Sequence, residues 1–111
     1  MLLKIYPENP EMKKIQTIVD CLNKGGLIIY PTDTVYSIGC DIRHPKALQK
    51  VAKIKGVKLE KANFSLICSD LSQLTDYAKS IDTPTYKAMK RAFPGAFTFI
   101  LNANGNVPKL F

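Results

Sequence analysis

The sequence predicts an α/β fold, and three observations carry that prediction. A helical stretch from Met12 to Leu22 lies between two strand-like runs, Leu2 to Tyr6 and Leu27 to Tyr30. The second run is apolar and carries no charge. Helix-like and strand-like stretches then alternate along the rest of the 111 residues. Strand, helix and buried strand in succession argue for a crossover unit, and therefore for a sheet flanked by helices. The length suits one domain with one modest core.

Leu2-Leu3-Lys4-Ile5-Tyr6 has the composition of a first strand, ended by Pro7. Asn9-Pro10-Glu11 then opens a helix: Asn9 can cap free amides, Pro10 fits the first turn and Glu11 complements the positive helix end. Met12, Ile15, Ile18, Val19 and Leu22 fall on one helical face. Gly25-Gly26 stops that helix and turns the chain into Leu27-Ile28-Ile29-Tyr30, whose β-branched residues suit a buried strand. Pro31 has no amide hydrogen for a ladder, so the chain leaves the sheet at Thr32.

Ile38-Gly39-Cys40 can return to the sheet, and Pro45 begins a second helix through Lys55, closed by Gly56. His44 falls at its start. Leu48, Val51 and Ala52 face the core, while Lys46, Lys50 and Lys53, spaced by four and three, form a positive stripe. Phe64 to Cys68 reads as another strand, Asp70 or Ser72 caps a short helix around Leu71, Leu74 and Tyr77, and Thr83-Pro84 starts a helix through Phe93. After the Pro94-Gly95 break, Phe97 to Leu101 reads as a final strand, and Asn102 to Asn106 as a turn before the apolar ending Val107-Pro108-Lys109-Leu110-Phe111.

Composition narrows the function classes. No apolar run is long enough to cross a bilayer, and Met1 to Tyr6 is too short and too soon charged for a secretory signal, so a cytoplasmic location is expected. Cys21, Cys40 and Cys68 are far apart and odd in number, and read as reduced core residues. With one histidine and no Cys-x-x-Cys spacing, a protein-built zinc site is not expected. The net charge of +7 favours polyanionic partners, although a solubilising lysine-rich surface has the same composition. Neither a Gly-x-x-x-x-Gly-Lys-Ser/Thr loop nor a Gly-x-Gly-x-x-Gly fingerprint is present.

The chemistry concentrates after the Leu27 strand. Thr32, Thr34 and Ser37 supply hydroxyls, Asp33 a carboxylate and Tyr36 a phenol, all within six positions at a strand end. Open α/β sheets bind ligands at such a place. A polar turn joining two strands has the same residue types. Downstream, Lys46, Lys50, Lys53, Lys55, Lys58 and Lys61 are the densest charge feature of the chain, matching either a phosphate site or a solvated helix face.

Pro31-Thr32-Asp33-Thr34-Val35-Tyr36-Ser37-Ile38-Gly39 resembles the signature of the YrdC/YciO family, the threonylcarbamoyl-AMP synthases and their relatives. Lys53-Ile54-Lys55 resembles that family's Lys-x-Arg, Asn63-Phe64-Ser65-Leu66 its Asn-Pro-Leu region, and Pro94 to Leu101 its Pro-Gly-x-x-Thr-x-Ile-Leu block. The blocks follow in family order from Leu27 to Leu101, and the whole looks closer to the YciO branch than to YrdC proper. The resemblance implies the N-terminal part of a YrdC-like twisted mixed sheet flanked by helices. Family members continue further, through a Ser-x-Asn element that helps hold the nucleotide. The chain is therefore expected to be incomplete at its C-terminus, with an exposed sheet edge, an unfinished core and a tendency to self-associate.

The family reaction joins L-threonine, bicarbonate and ATP into threonylcarbamoyl-AMP and pyrophosphate, for modification of certain tRNAs. By resemblance, Thr32, Thr34 and Tyr36 lie beside threonine or its carbamate. Lys53 and Lys55 hold phosphates, with Mg²⁺ brought by ATP, and Ser65 and Thr98 lie near the ligand pocket. Lys50 extends the phosphate or RNA surface. Lys55 stands where the family usually has arginine, which exchanges a planar fork for a point charge. That change and the absent Ser-x-Asn element make the 111 residues a poor candidate for turnover alone. The alternative implied by the same family is a protein that grips double-stranded RNA or tRNA through its phosphates without synthase activity.

Overall fold

The fold was described from a computed structural model, covering residues 1–108. Helix α1 (Met12–Asn23) starts two residues later than an Asn9 cap would place it. Glu11 is its N-cap, with extended backbone and no side-chain capping bond. The amide of Asn9 instead donates to the Tyr6 carbonyl at 3.2 Å in a preceding turn. Ile15, Ile18 and Leu22 are half-buried, whereas Met12 is 73% exposed, so the predicted apolar face is only partly covered.

After Gly25, whose φ of 80° lies in the left-handed region, the chain enters β1 (Ile28–Pro31), which pairs antiparallel with β2 (Tyr36–Gly39). The register runs from Ile28 opposite Gly39 to Pro31 opposite Tyr36. Proline is tolerated there because it is the last residue of the strand, and Thr32 begins the turn as expected. The ring of Tyr30 crosses over Gly39, where an added Cβ would sit 2.7 Å from Tyr30 Cε1. Pairing on one face of the two strands therefore depends on the missing side chain.

Helix α2 (Pro45–Lys55) is the best-buried element. His44 is its N-cap, Pro45 its first residue and Gly56, at φ 71°, its left-handed C-cap. Ala47, Leu48, Val51 and Ala52 are buried and, with Met89, make up the core of the described residues. A short 3-10 turn, Leu59–Lys61, follows. Asp70 caps the single-turn α3 (Leu71–Leu74) by accepting from the Gln73 amide at 2.8 Å. Asp82 does the same for α4 (Thr83–Ala92), accepting from Thr85 at 2.8 Å. Beyond α4, Phe93 and Phe99 pack edge to face with ring centres 5.3 Å apart.

The fold class is α/β, as predicted, but the sheet is assembled differently from the expected crossover. Leu2 to Tyr6, Phe64 to Cys68 and Phe97 to Leu101 are not strands of any sheet among the described residues. A strand exists only through its ladder, and composition alone supplies no partner. The first of these segments is held by a side chain: Lys14 Nζ donates to the Lys4 carbonyl at 2.8 Å. One antiparallel bridge, Ala78 with Ala103, ties the Asn-rich turn to the loop after α3. Asn104 and Asn106 there both donate to the Asp76 carbonyl, at 2.9 and 2.7 Å. In the apolar ending, Lys109, Leu110 and Phe111 lie outside the described residues.

Candidate functional site

The β1–β2 turn is organised by one hydroxyl. Thr32 Oγ1 accepts from the amides of Thr34 and Val35, at 3.2 and 3.1 Å, and donates to the Val35 carbonyl. The Thr32 amide bonds that same carbonyl at 3.2 Å. Thr32 is thus half-buried and spent on holding the turn, a side-chain-to-backbone pattern that threonine favours outside regular structure. Thr34 is exposed, its hydroxyl 3.2 Å from that of Thr32. Tyr36, opposite Pro31, is 73% exposed. The turn therefore offers a hydroxyl and a phenol to solvent on a backbone fixed by a third residue.

The lysines lie where helical spacing placed them. Lys46, Lys50, Lys53, Lys55, Lys58 and Lys61 are all exposed; Lys46, Lys50 and Lys53 lie opposite the buried face of α2, while Lys55 ends the helix and Lys58 and Lys61 follow it. Lys53 and Lys55 occupy the last turn of α2, where positive charge also complements the helix dipole. Lys55 Nζ stands 5.8 Å from the centre of the Phe64 ring, so the end of α2 meets the segment that carries Ser65. Asn63, at φ 50°, starts that segment in a left-handed conformation that asparagine tolerates. Ser65 and Thr98 are both exposed, in segments without regular secondary structure.

A cleft of about 470 Å³ lies elsewhere, lined by Ile42, Arg43, Pro45, Asp76, Tyr77 and Asn106 together with Pro108. None of the residues assigned by resemblance lines it. Its rim carries an arrangement that the sequence reading missed: Arg43 bonds both carboxylate oxygens of Asp41 and reaches Asn23 Oδ1 at 3.0 Å. The Asp-x-Arg spacing just after β2 is the signal that could have found it. A shallower hollow is lined by Lys87, Lys90 and Arg91 on α4.

The cysteines are half-buried and free. Burial, and secondarily the Asp41 carboxylate, pushes the Cys40 thiol up from its ordinary range. Burial, then Asp70 and Asp76, does the same at Cys68. Both are kept as thiols at neutral pH, which is the wrong state for nucleophilic attack. No helix among the described residues is long and apolar enough to cross a membrane.

A small α/β domain with a hydroxyl-rich strand-end turn and a lysine-faced helix is the class of protein that fold and site define. The chain belongs to the Sua5/YciO/YrdC family, whose model, described as telomere recombination, matches residues 20–111. An uncharacterized protein of Haemophilus influenzae is 41% identical over 95% of this chain and 50% of its own length. The uncharacterized protein YciO of Escherichia coli K12 is 38% identical over the same shares. A threonylcarbamoyl-AMP synthase of Nitrosococcus oceani is 32% identical over 86% of this chain and 51% of its own. The crystal structure of E. coli YciO superposes with a TM-score of 0.83 over 94% of this chain and 50% of that one. The chain spans about half the length of the curated relatives it matches.

Proposed function

We propose that this chain carries the threonine-facing and phosphate-facing residues of a threonylcarbamoyl-AMP synthase type of site. The observation that carries the reading is the division of labour in the β1–β2 turn. Thr32 locks the backbone, and Thr34 and Tyr36 are left free of that duty and exposed. In this reading Thr34 and Tyr36 bind L-threonine or its carbamate, and Thr32 positions them. Lys53 and Lys55 neutralise the phosphates of Mg·ATP, with Lys50, Ser65 and Thr98 at the margin of the nucleotide.

Threonine's amine and bicarbonate form a carbamate with loss of water. A carbamate oxygen then attacks the α-phosphorus of ATP, the bond from that phosphorus to the bridging oxygen of the β-phosphate breaks, and pyrophosphate leaves. Such chemistry gains mostly from positioning and from cations that spread the developing charge. The test is pyrophosphate release from ATP, with threonine or bicarbonate omitted in turn, run on this chain and on full-length E. coli YciO. Release requiring all three substrates supports the reading. A folded protein that binds neither ATP nor threonine overturns it.

One observation favours a second reading. Six exposed lysines between positions 46 and 61, in a chain of net charge +7, suit the phosphates of double-stranded RNA or tRNA. RNA binding that weakens steeply with salt and ignores threonine would select this reading.

A further inference from the structure

The Asn-rich turn that follows Leu101 is pinned to the loop after α3, and one of its pins has a chemistry of its own. Asn104 Nδ2 donates to the carbonyls of Asp76 and Ala78 at 2.9 and 3.5 Å, and the Asn104 amide donates to the Tyr77 carbonyl at 2.8 Å. The Lys79 amide donates to the Asn102 carbonyl at 2.8 Å and completes the pairing. The residue after Asn104 is Gly105.

The amide nitrogen of the following residue can attack an asparagine side-chain amide and close a five-membered imide. Three local features favour that attack at Asn104. The Gly105 amide donates to no other described residue, so its proton is not held. Nothing lies within 4 Å of where a Cβ on Gly105 would sit, so no side chain or neighbour hinders the nitrogen. The Asn106 amide donates to Asn104 Oδ1 at 2.8 Å, which draws electrons from Cγ and steadies the oxyanion formed on attack.

The other asparagines lack this combination. Pro10 after Asn9 has no amide hydrogen, and Lys24 after Asn23 gives its amide to the Asp20 carbonyl. Asn63, Asn102 and Asn106 precede Phe64, Ala103 and Val107, whose Cβ atoms restrict the approach of the nitrogen.

We propose that Asn104 is a self-modification site, converted through a succinimide shared with Gly105 into aspartate or isoaspartate. Hydroxide removes the Gly105 amide proton, and that nitrogen bonds to Asn104 Cγ. The bond from Cγ to Nδ2 breaks, and ammonia leaves with a proton taken from water. Water then opens either imide carbonyl. The net change is gain of water and loss of ammonia, with no oxidant or cofactor.

The product releases the turn. A carboxylate cannot donate, so the Asp76 and Ala78 carbonyls lose their Asn104 partner and face a negative charge. Isoaspartate also lengthens the main chain by one methylene, which displaces the bond to the Tyr77 carbonyl. Asp76 and Asn106 line the cleft of about 470 Å³, so the reaction alters its wall.

The experiment incubates the purified 111-residue chain, folded and urea-unfolded, at neutral pH and one unit higher, and maps the mass gain of one dalton by peptide. The folded chain is expected to gain that mass at Asn104 alone, faster at the higher pH, and within about tenfold of the unfolded rate. In the modified fraction the Lys79 amide is expected to exchange about tenfold faster or more, and Asn104→Asp to reproduce that change. Gly105→Ala, which the open space around Gly105 accommodates, is expected to slow the gain by about tenfold or more at unchanged circular dichroism. No gain at Asn104 in the folded chain while the unfolded chain reacts, a gain spread over the other asparagines, or a Gly105→Ala chain that reacts as fast overturns the inference.

Discussion

Arg43 holds Asp41 in a forked pair, with its Nε 3.0 Å from one carboxylate oxygen and 3.1 Å from the other. The amide of Arg43 donates to the same carboxylate at 2.8 Å, and its Nη2 reaches Asn23 at the end of α1. The pair thereby ties the chain leaving β2 to the helix that precedes β1.

This pair sets a pH dependence. The Arg43 side-chain hydrogen bond, as the largest cause, holds the Asp41 carboxyl below the usual carboxylate range, against an opposing effect of burial. A carboxyl depressed in the folded state contributes stability above its unfolded pKa of about 3.9 and loses it as pH falls through the folded value. Asp41→Asn is expected to lower the melting temperature at neutral pH by a few degrees, with the gap to wild type closing as pH falls from the unfolded value through the depressed folded one. Thermal melts across that range check it.

Thr32 and Thr34 should separate cleanly. Thr32→Val removes the acceptor for two amides and is expected to cost about 1 kcal/mol in urea unfolding. Thr34→Ala is expected to change stability by less than about 0.5 kcal/mol. Calorimetric titration with L-threonine, run on E. coli YciO carrying the equivalent change and on this chain, should show weaker threonine binding for Thr34→Ala with RNA binding unchanged. Equal loss of both ligands at unchanged stability would contradict the assignment.

Two glycines should fail for different reasons. A Cβ at Gly26 would meet Cys21 Sγ at 2.5 Å and the Cys21 carbonyl oxygen at 2.9 Å, so Gly26→Ala forces α1 and the approach to β1 apart. Its expected cost is about 2 kcal/mol or more, within the range for overpacking. Gly56 meets nothing within 4 Å but has φ 71°, so Gly56→Ala is expected to cost about 1 kcal/mol from backbone strain alone. Denaturant midpoints distinguish the two.

Lys53→Ala is expected to weaken ATP binding by about fivefold to tenfold, and Lys53→Arg to retain most of it. If the lysine face instead binds RNA, the same substitution should lower the logarithmic salt slope by about one ion and act alike on all sequences. Fluorescence anisotropy at several salt concentrations reads both.

Much of the fold was visible in residue spacing. The i, i+3, i+4 recurrence located α1 and α2, Pro45 and Gly56 bounded α2, and Thr83-Pro84 opened α4. Leu48, Val51 and Ala52 were readable as the buried face of α2. Met89 was not singled out, although Tyr86, Met89, Ala92 and Phe93 recur at helical spacing along α4 and its C-cap. The three unladdered segments were misread as strands. Phe64 to Cys68 and Phe97 to Leu101 have the right composition and even the right alternation, yet a ladder needs a neighbour that composition does not specify.

The sequence by itself determined the helices α1, α2 and α4, the lysine face of α2, the turn at Thr32 and the family, since helical period, backbone-restricting residues and short signature blocks are local properties. Only the tertiary structure decided that β1 pairs antiparallel with β2, that Thr32 serves the turn while Thr34 and Tyr36 face outward, and that Arg43 joins Asp41 to Asn23. Each of those outcomes depends on which groups meet across a turn or between elements, and whether a hydroxyl is spent on backbone or left for a ligand follows from that meeting.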